Sequence, residues 1–115
     1  MAPDLKYDTG HKAVLDDMLL GDARVRPGTM FGLPAYYAGR KLAICLYEQG
    51  VGVKVPEQTA TRLIETDPNI TPFQPMGRRR MREWVQIDLR DSEGYRRYAP
   101  VFDESLKHVA AQQAT

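Results

Sequence analysis

Residues 30–56 constrain the fold of this 115-residue chain more than any other stretch. The segment MFGLPAYYAGRKLAICLYEQGVGVKVP predicts three consecutive antiparallel strands, joined by two-residue turns at Ala38-Gly39 and Gln49-Gly50. Because side chains alternate across a strand, one register places a set of apolar residues on a single face, and a slip by one residue would scatter them. This set is Leu33, Leu42, Ile44, Leu46, Val51, Val53 and Val55.

The same register makes the facing positions of both hairpins apolar. Its cross-strand pairs are Leu33 with Ile44, Ala35 with Leu42, Leu46 with Val53, and Ile44 with Val55. The opposite face then carries a polar and aromatic mixture that suits water or a binding groove. That mixture is Tyr36, Lys41, Cys45, Tyr47 and Lys54.

The segments around this stretch predict helices and edge strands. Residues 10–21 form one apolar stripe after an N-cap at Asp8 or Thr9, and a second helix runs from Pro56 to about Thr66. Residues 24–31 favour an edge strand because they contain proline, and residues 71–76 pair with EWVQIDL in a second hairpin.

The tail from Ser92 has a helical spacing of apolar residues, with Asp91 or Ser92 available as the cap. Pro100 either kinks one long helix or opens a second helix after a short first one. Tyr95, Tyr98 and Phe102 are expected to be core or core-rim contacts, because they continue one helical stripe.

The order of helix, three or four strands, helix, two strands, helix excludes a doubly wound parallel sheet, which needs a helix between paired strands. The sequence therefore predicts a two-layer α+β sandwich, an antiparallel sheet with helices on one face. The residues expected to be buried together are Leu15, Leu19, Leu42, Ile44, Leu46, Val53, Phe102 and Leu106.

Composition places this chain among ordinary globular proteins, with 43% hydrophobic residues, 27% charged residues and a formal net charge of +1. Residues 1–115 suit one domain. The near-neutral charge argues against indiscriminate polyanion binding, and one cysteine cannot form an intrachain disulfide. The N-terminus lacks the apolar core of a signal peptide and no run is long enough to span a membrane, so we expect a cytoplasmic protein.

Several motifs, taken in order, resemble the N-terminal domain of TfoX, the bacterial competence regulator also called Sxy. They cover nearly the whole chain. They are Met30-Phe31-Gly32, the region of Tyr37, Gly39 and Lys41, Gly52-Val53-Lys54-Val55-Pro56, Pro72-Phe73, Pro75-Met76-Gly77-Arg78, and Trp84-Val85.

This resemblance implies an α+β sandwich of the type seen in secretion chaperones and a regulatory domain without catalytic residues. The full regulator has a second, C-terminal domain, and this chain ends where the first domain would end. We therefore do not expect competence or transcription activation to transfer simply to this chain.

An arginine-rich loop is a candidate nucleic-acid site. Arg78, Arg79, Arg80 and Arg82 lie just before Trp84, and cations beside an aromatic ring can neutralise phosphates and stack on bases. We favour the other interpretation, a solvated loop whose arginines pair with acidic residues. Gly77 permits a tight turn in either case.

Catalytic and metal chemistry have weaker support. Cys45 lies opposite Lys54 in the predicted register, and a nearby ammonium group lowers the pKa of a thiol, but no motif brings His11 or His108 to Cys45 as a base. Two distant histidines and one cysteine have no metal-ligand spacing. We therefore expect a non-enzymatic chain without cofactor or metal.

The preferred function is a protein-interaction or regulatory module that uses the tyrosine-bearing sheet face, with nucleic-acid binding as the alternative. The partner is expected to be a protein and the assembly a monomer or closed homodimer, since proline-bearing edges are poor templates for strand pairing. The predicted interaction surface is Tyr36, Tyr47, Lys54, Arg78, Arg79, Arg80, Arg82 and Trp84.

Overall fold

A computed structural model describes residues 6–75, 79 and 81–113. Within these residues the chain forms three α-helices, one longer 3-10 helix and six strands. In chain order they are α1 Thr9–Leu19, β1 Val25–Met30, β2 Leu33–Ala38, β3 Lys41–Tyr47, β4 Gly50–Lys54, α2 Glu57–Thr66, β5 Ile70–Pro72, β6 Trp84–Ile87, the 3-10 helix Ser92–Tyr98, and α3 Ala99–Ala111.

The six strands form one antiparallel sheet in the order β1-β2-β3-β4-β6-β5. Helices pack on one face, so the predicted two-layer α+β sandwich is confirmed. The two sheet edges are β1 and β5, and both contain proline, at Pro27 and Pro72. Proline is tolerated there because an edge strand leaves one row of backbone groups outside the ladder.

The helix boundaries follow local capping chemistry. The Asp8 carboxylate accepts a hydrogen bond from the backbone N–H of His11 at the start of α1, and Asp91 accepts from Glu93 before the 3-10 helix. Pro100 lies in the first turn of α3, where a missing N–H costs nothing. Of the two alternatives for Pro100, the structure shows the second, a new helix after a short first one.

The predicted register of both central hairpins is wrong, because each pair of turn residues is displaced by one position. The first turn lies one residue later than predicted, and the second lies one residue earlier. The connecting residues are Gly39-Arg40 and Glu48-Gln49, because Ala38 pairs with Lys41 and Tyr47 pairs with Gly50. Between β3 and β4 this shifts the pairing by two residues, so Ile44 lies opposite Val53. A shift of two keeps the side chains of β3 and β4 on their predicted faces.

A β-bulge between β2 and β3 changes the faces themselves. Tyr37 pairs with Leu42 but Tyr36 pairs with Ile44, which leaves Ala43 as an extra residue in β3. Leu42 and Leu33 therefore lie on the face opposite the helices, and Tyr36 lies beneath the helices, the reverse of the prediction for each.

The face beneath the helices, here the helical face, carries the larger core. Ile44 and Leu46 are fully buried there against α1 and α3. The buried residues predicted correctly are Leu15, Leu19, Ile44, Leu46, Val53, Phe102 and Leu106. Tyr95 and Phe102 are also buried and Tyr98 is half-buried, as their helical stripe predicts.

The opposite side of the sheet, here the second face, carries a smaller apolar cluster. It consists of Leu33, Ala35, Cys45, Tyr47, Phe73 and Trp84. The chain after β5 returns over this face, since a Cβ on Gly52 would lie 3.0 Å from both the Phe73 ring and the Cys45 sulfur. The second face is therefore not the open polar surface that the alternation predicts.

Candidate functional site

The eight residues predicted as an interaction surface do not form one surface. Tyr36 is buried on the helical face, where its hydroxyl donates to Asp16 Oδ1 at 2.6 Å. Burial in the core raises the pKa of Tyr36. The strand alternation predicts Tyr36 on the polar face, and the bulge in β3 is the physical reason why it lies on the helical face instead. Of the other members that the structure describes, Tyr47, Lys54 and Trp84 lie on the second face, and Arg79 and Arg82 lie before β6.

Trp84 lies inside the second-face cluster. Only 7% of its surface is exposed, and its ring packs on Phe73 with the centroids 5.4 Å apart. Phe73 in turn meets Tyr47 edge-on at 5.6 Å. These rings bury one another, so Trp84 does not present the free stacking face that the nucleic-acid alternative requires.

The loop before Trp84 contains the arginines of that alternative. Arg79 and Arg82 are exposed, whereas Arg78 and Arg80 lie outside the described residues. Neither Arg79 nor Arg82 forms an ion pair with another described residue, so the predicted pairing with acidic side chains is not seen for these two arginines.

Cys45 lies opposite Gly52 and not opposite Lys54. The side chain is fully buried, and this burial raises the pKa of the thiol to about 12. A thiol with so high a pKa is almost entirely protonated at neutral pH, and the thiolate is the reactive form. Lys54 therefore does not lie opposite Cys45 to lower the pKa of its thiol, and Cys45 packs as an apolar residue in the second-face cluster.

A buried histidine cluster is the polar feature that sequence reasoning missed. His11 is 1% exposed, and its Nε2 lies 3.1 Å from the carbonyl oxygen of Gln49 while its Nδ1 lies 2.7 Å from Ser92 Oγ. Because a carbonyl only accepts, Nε2 donates to it, and in the neutral imidazole Nδ1 is then the acceptor for the serine hydroxyl. Tyr95 packs edge-on against the imidazole, with ring centroids 4.7 Å apart.

The chain of hydroxyl, imidazole and carbonyl has the connectivity of a nucleophile, a base and an orienting group. However, a Cβ on Gly10 would lie 2.8 Å from Ser92 Oγ, so the start of α1 covers that side of the hydroxyl. We interpret the cluster as a polar junction between α1, the β3–β4 turn and the 3-10 helix. Ser92 lies 81 positions from His11, and no local pattern could have linked them.

The second histidine has a different partner. His108 Nε2 lies 2.8 Å from the Glu83 carboxylate, and this hydrogen bond lowers the pKa of Glu83. Gln112 donates to the same carboxylate at 3.1 Å. These bonds join the end of α3 to the segment before β6.

An open groove of about 1060 Å³ lies at the sheet end beside the β3–β4 turn. Its lining mixes acidic and basic side chains, including Asp8, Glu48, Asp88 and Arg90. Among the described residues, no group of three or more histidine, cysteine or acidic side chains is placed to hold a metal ion. The charges that line the groove are of both signs, so the groove does not select for either anions or cations.

The tip of the β1–β2 hairpin presents an exposed aromatic side chain. Phe31 and Gly32 connect the strands with φ of 53° and 80°, the combination of positive angles found in type I′ turns. Phe31 is 54% exposed, which is more than the two other exposed large hydrophobic residues of the described chain, Leu20 and Met81. Glycine accepts such angles freely, but a phenylalanine there is strained.

In the part of the chain that the structure describes, no helix is both long and apolar enough to cross a membrane. No family model matches the chain, and no curated protein or solved structure is significantly similar to it.

Proposed function

We propose that this chain is a non-enzymatic, cytoplasmic protein-binding module that contacts its partner through Phe31 at the β1–β2 hairpin tip. The observation that carries this proposal is the combination of strain and exposure at one residue. A left-handed backbone costs a non-glycine residue roughly 1–2 kcal/mol, and asparagine or glycine would occupy the turn more easily. The structure instead presents an aromatic ring to solvent at this position.

An exposed aromatic side chain on a tight turn has the properties of an interface anchor. Aromatic residues are enriched at the centres of protein interfaces because they bury a large area and have few torsions to freeze. The turn holds the ring at a defined place, since Met30 pairs with Leu33 directly below it. Phe31 therefore replaces Tyr36 and Tyr47 as the anchor, because both tyrosines are buried.

A regulatory role is part of this proposal. The resemblance of the motifs to the TfoX N-terminal domain favours a regulator without catalytic residues, and Met30-Phe31-Gly32 is one of the motifs that carries it. The buried, protonated state of Cys45 supports the non-enzymatic part of the proposal.

The test compares Phe31→Asn with a matched variant, Glu48→Asn. Glu48 has the same φ of 53° in the β3–β4 turn but carries no aromatic ring. Both substitutions should stabilise the fold by about 1 kcal/mol, because asparagine tolerates left-handed angles better than either residue. Denaturant midpoints measure this stabilisation.

Partner capture separates the two variants. A photoreactive phenylalanine analogue at position 31 should cross-link one discrete protein in cell extract, and unlabelled wild type and Glu48→Asn should compete with that adduct. Phe31→Asn should not compete at tenfold higher concentration. Equal competition by Phe31→Asn would refute the proposed anchor.

A further inference from the structure

The turn at Phe31 fixes which backbone groups of β1 point away from β2. Met30 and Leu33 flank this two-residue turn, so they form a hydrogen-bonded pair. Hydrogen-bonded and non-hydrogen-bonded pairs alternate along an antiparallel ladder. Every second residue counted back from Thr29 therefore directs its N–H and C=O groups to the outer edge of the sheet. These residues are Val25, Pro27 and Thr29.

Each of these three residues has lost an outward donor or acceptor. The Val25 N–H donates to the carbonyl oxygen of Asp22 at 3.0 Å. Pro27 has no N–H, and the carbonyl oxygen of Thr29 accepts from the Tyr37 hydroxyl at 2.7 Å. Within the described chain, the N–H of Thr29 is then the one outward donor of β1 without a partner.

Tyr37 reaches the Thr29 carbonyl by crossing over β1. A Cβ on Gly28 would lie 3.0 Å from the Tyr37 Cε1 atom and 3.2 Å from Cδ1, so the ring runs over the bare backbone of that glycine. Any larger residue at position 28 would push the ring away. Tyr37 therefore forms a strap across the edge strand, and Gly28 leaves room for it.

An added strand would find few partners on β1. A peptide that extends a sheet gains its affinity from main-chain hydrogen bonds to the edge strand. The outer edge of β1 offers one N–H and the carbonyl oxygens of Val25 and Pro27. Because Phe31 directly follows β1, a partner that contacts its ring is expected to do so without extending the sheet at this edge.

The hairpin that presents Phe31 is also uncharged. Residues 27–39 contain no lysine, arginine, aspartate or glutamate, although 27% of the whole chain is charged. By extension of the register, Leu33 lies opposite Tyr47, so Glu48 is the first charged residue met across the sheet at this end. A charged partner surface would lose hydration at the tip without gaining an ion pair, whereas an apolar pocket gains the burial of the ring.

We infer that the partner of Phe31 is a folded protein that takes the ring into an uncharged, apolar pocket, and that Tyr37 keeps the β1 edge closed to an added strand. Such pockets surround the aromatic anchors that dominate many protein interfaces. This inference rests on the proposed function and names the kind of partner. It makes Tyr37 a positioning residue, since its hydroxyl holds the strand that leads into the turn.

The closed edge is tested on the purified chain alone. The double variant Pro27→Thr with Tyr37→Phe restores the missing N–H and frees the Thr29 carbonyl, so two copies gain the hydrogen bonds needed to pair through β1. Sedimentation velocity measures the association constant, which should rise at least about tenfold over that of wild type. Circular dichroism checks that the variant is folded.

The matched control is Pro68→Thr with Tyr98→Phe. It makes the same two chemical changes away from β1, because Pro68 is exposed and the Tyr98 hydroxyl donates to Asp67. Its association should equal that of wild type. If the edge variant associates no more strongly than this control, Tyr37 does not close the edge and the inference is wrong.

The pocket is tested with the photoreactive phenylalanine analogue at position 31 in cell extract. The yield of the discrete protein adduct should fall by no more than about twofold between 150 mM and 1 M NaCl, because salt screens charged contacts but not the burial of a ring. The same analogue in the Pro27→Thr, Tyr37→Phe background should give the same adduct in similar yield, because the partner does not use the edge.

The possible failures are distinguishable. A large loss of the adduct at high salt would reveal a charged contact, and a large gain in the edge variant would reveal an added strand. Either result would overturn the inference and leave Phe31 as an anchor. Adducts formed only with phosphatidylcholine vesicles would assign the tip to a lipid surface. The absence of any adduct would instead refute the proposed function, while sedimentation would still decide the role of Tyr37.

Discussion

Tyr36 links two layers of the molecule through a single hydroxyl. It donates to Asp16 on α1 at 2.6 Å, and Lys12 donates to the same carboxylate at 2.6 Å. Partial burial by itself raises the pKa of Asp16, but the hydrogen bonds from Lys12 and Tyr36 together with the Lys12 charge lower it by more, so the net shift is downward. An ionised Asp16 therefore holds α1 against β2 across the whole neutral range.

The core residue Ile44 provides a test of the observed packing. Ile44→Ala should lower the free energy of unfolding by about 2–5 kcal/mol, because the side chain is fully buried beneath the helices and its removal leaves a cavity. The matched variant is Leu42→Ala, one pleat away on the second face and only half-buried, for which a smaller loss is expected. Urea midpoints measure both, and a loss below about 1 kcal/mol for Ile44→Ala would place that residue on the surface.

The thiol of Cys45 should be inert in the native protein. Its burial raises the pKa to about 12, so almost no thiolate is present at pH 7.5. Alkylation of native Cys45 by iodoacetamide should be much slower than alkylation of free glutathione. In denaturant the two rates should become equal. If native Cys45 were alkylated faster than glutathione, the assignment of Cys45 as a buried, unreactive thiol would be wrong.

Elements are joined at the surface by small charged networks. Arg24, which precedes β1, contacts Asp22 at 2.7 Å and Asp103 on α3 at 2.9 Å. Hydrogen bonds from the Arg24 side chain and backbone lower the pKa of Asp22 to about 2. Because the folded-state value lies below the unfolded one, the stability it contributes is present above about pH 5 and is lost as the pH falls toward 2.

The acid limb of the stability curve tests the ion pair between Asp22 and Arg24. Asp22→Asn should be less stable than wild type at pH 7, and the difference should shrink steadily from pH 5 to pH 2 as wild-type Asp22 becomes protonated. Glu57→Gln is the control, since Glu57 is exposed and forms no ion pair within the described chain. A difference independent of pH would show that the Asp22 carboxylate charge does not contribute.

At the scale of the whole molecule, the sheet edges limit assembly. Both edge strands contain proline, at Pro27 and Pro72, and β5 has only three residues. A proline lacks the N–H that a continuing ladder needs, so neither edge is a good template for open-ended strand addition. Light scattering between 10 µM and 1 mM should therefore show a monomer or a closed dimer, and larger species that grow with concentration would disprove this prediction.

The elements themselves could be predicted from the sequence because they depend on local chemistry. Apolar periodicity, caps such as Asp8, and prolines at Pro27, Pro72 and Pro100 act within a few residues of chain. These signals predict the helices, the edge strands and the α+β class, and they also predict most of the helical core.

What only the tertiary structure decided depends on contacts that no local pattern encodes. One extra residue, Ala43, inverts the faces of Tyr36 and Leu42, because the side-chain period of a strand is two and a bulge changes its phase. His11 meets Ser92 across most of the chain, and Trp84 is buried by Phe73 from the returning loop. The sequence alone therefore determined the elements and the apolar character of the core, whereas packing determined which side chains remain exposed to bind.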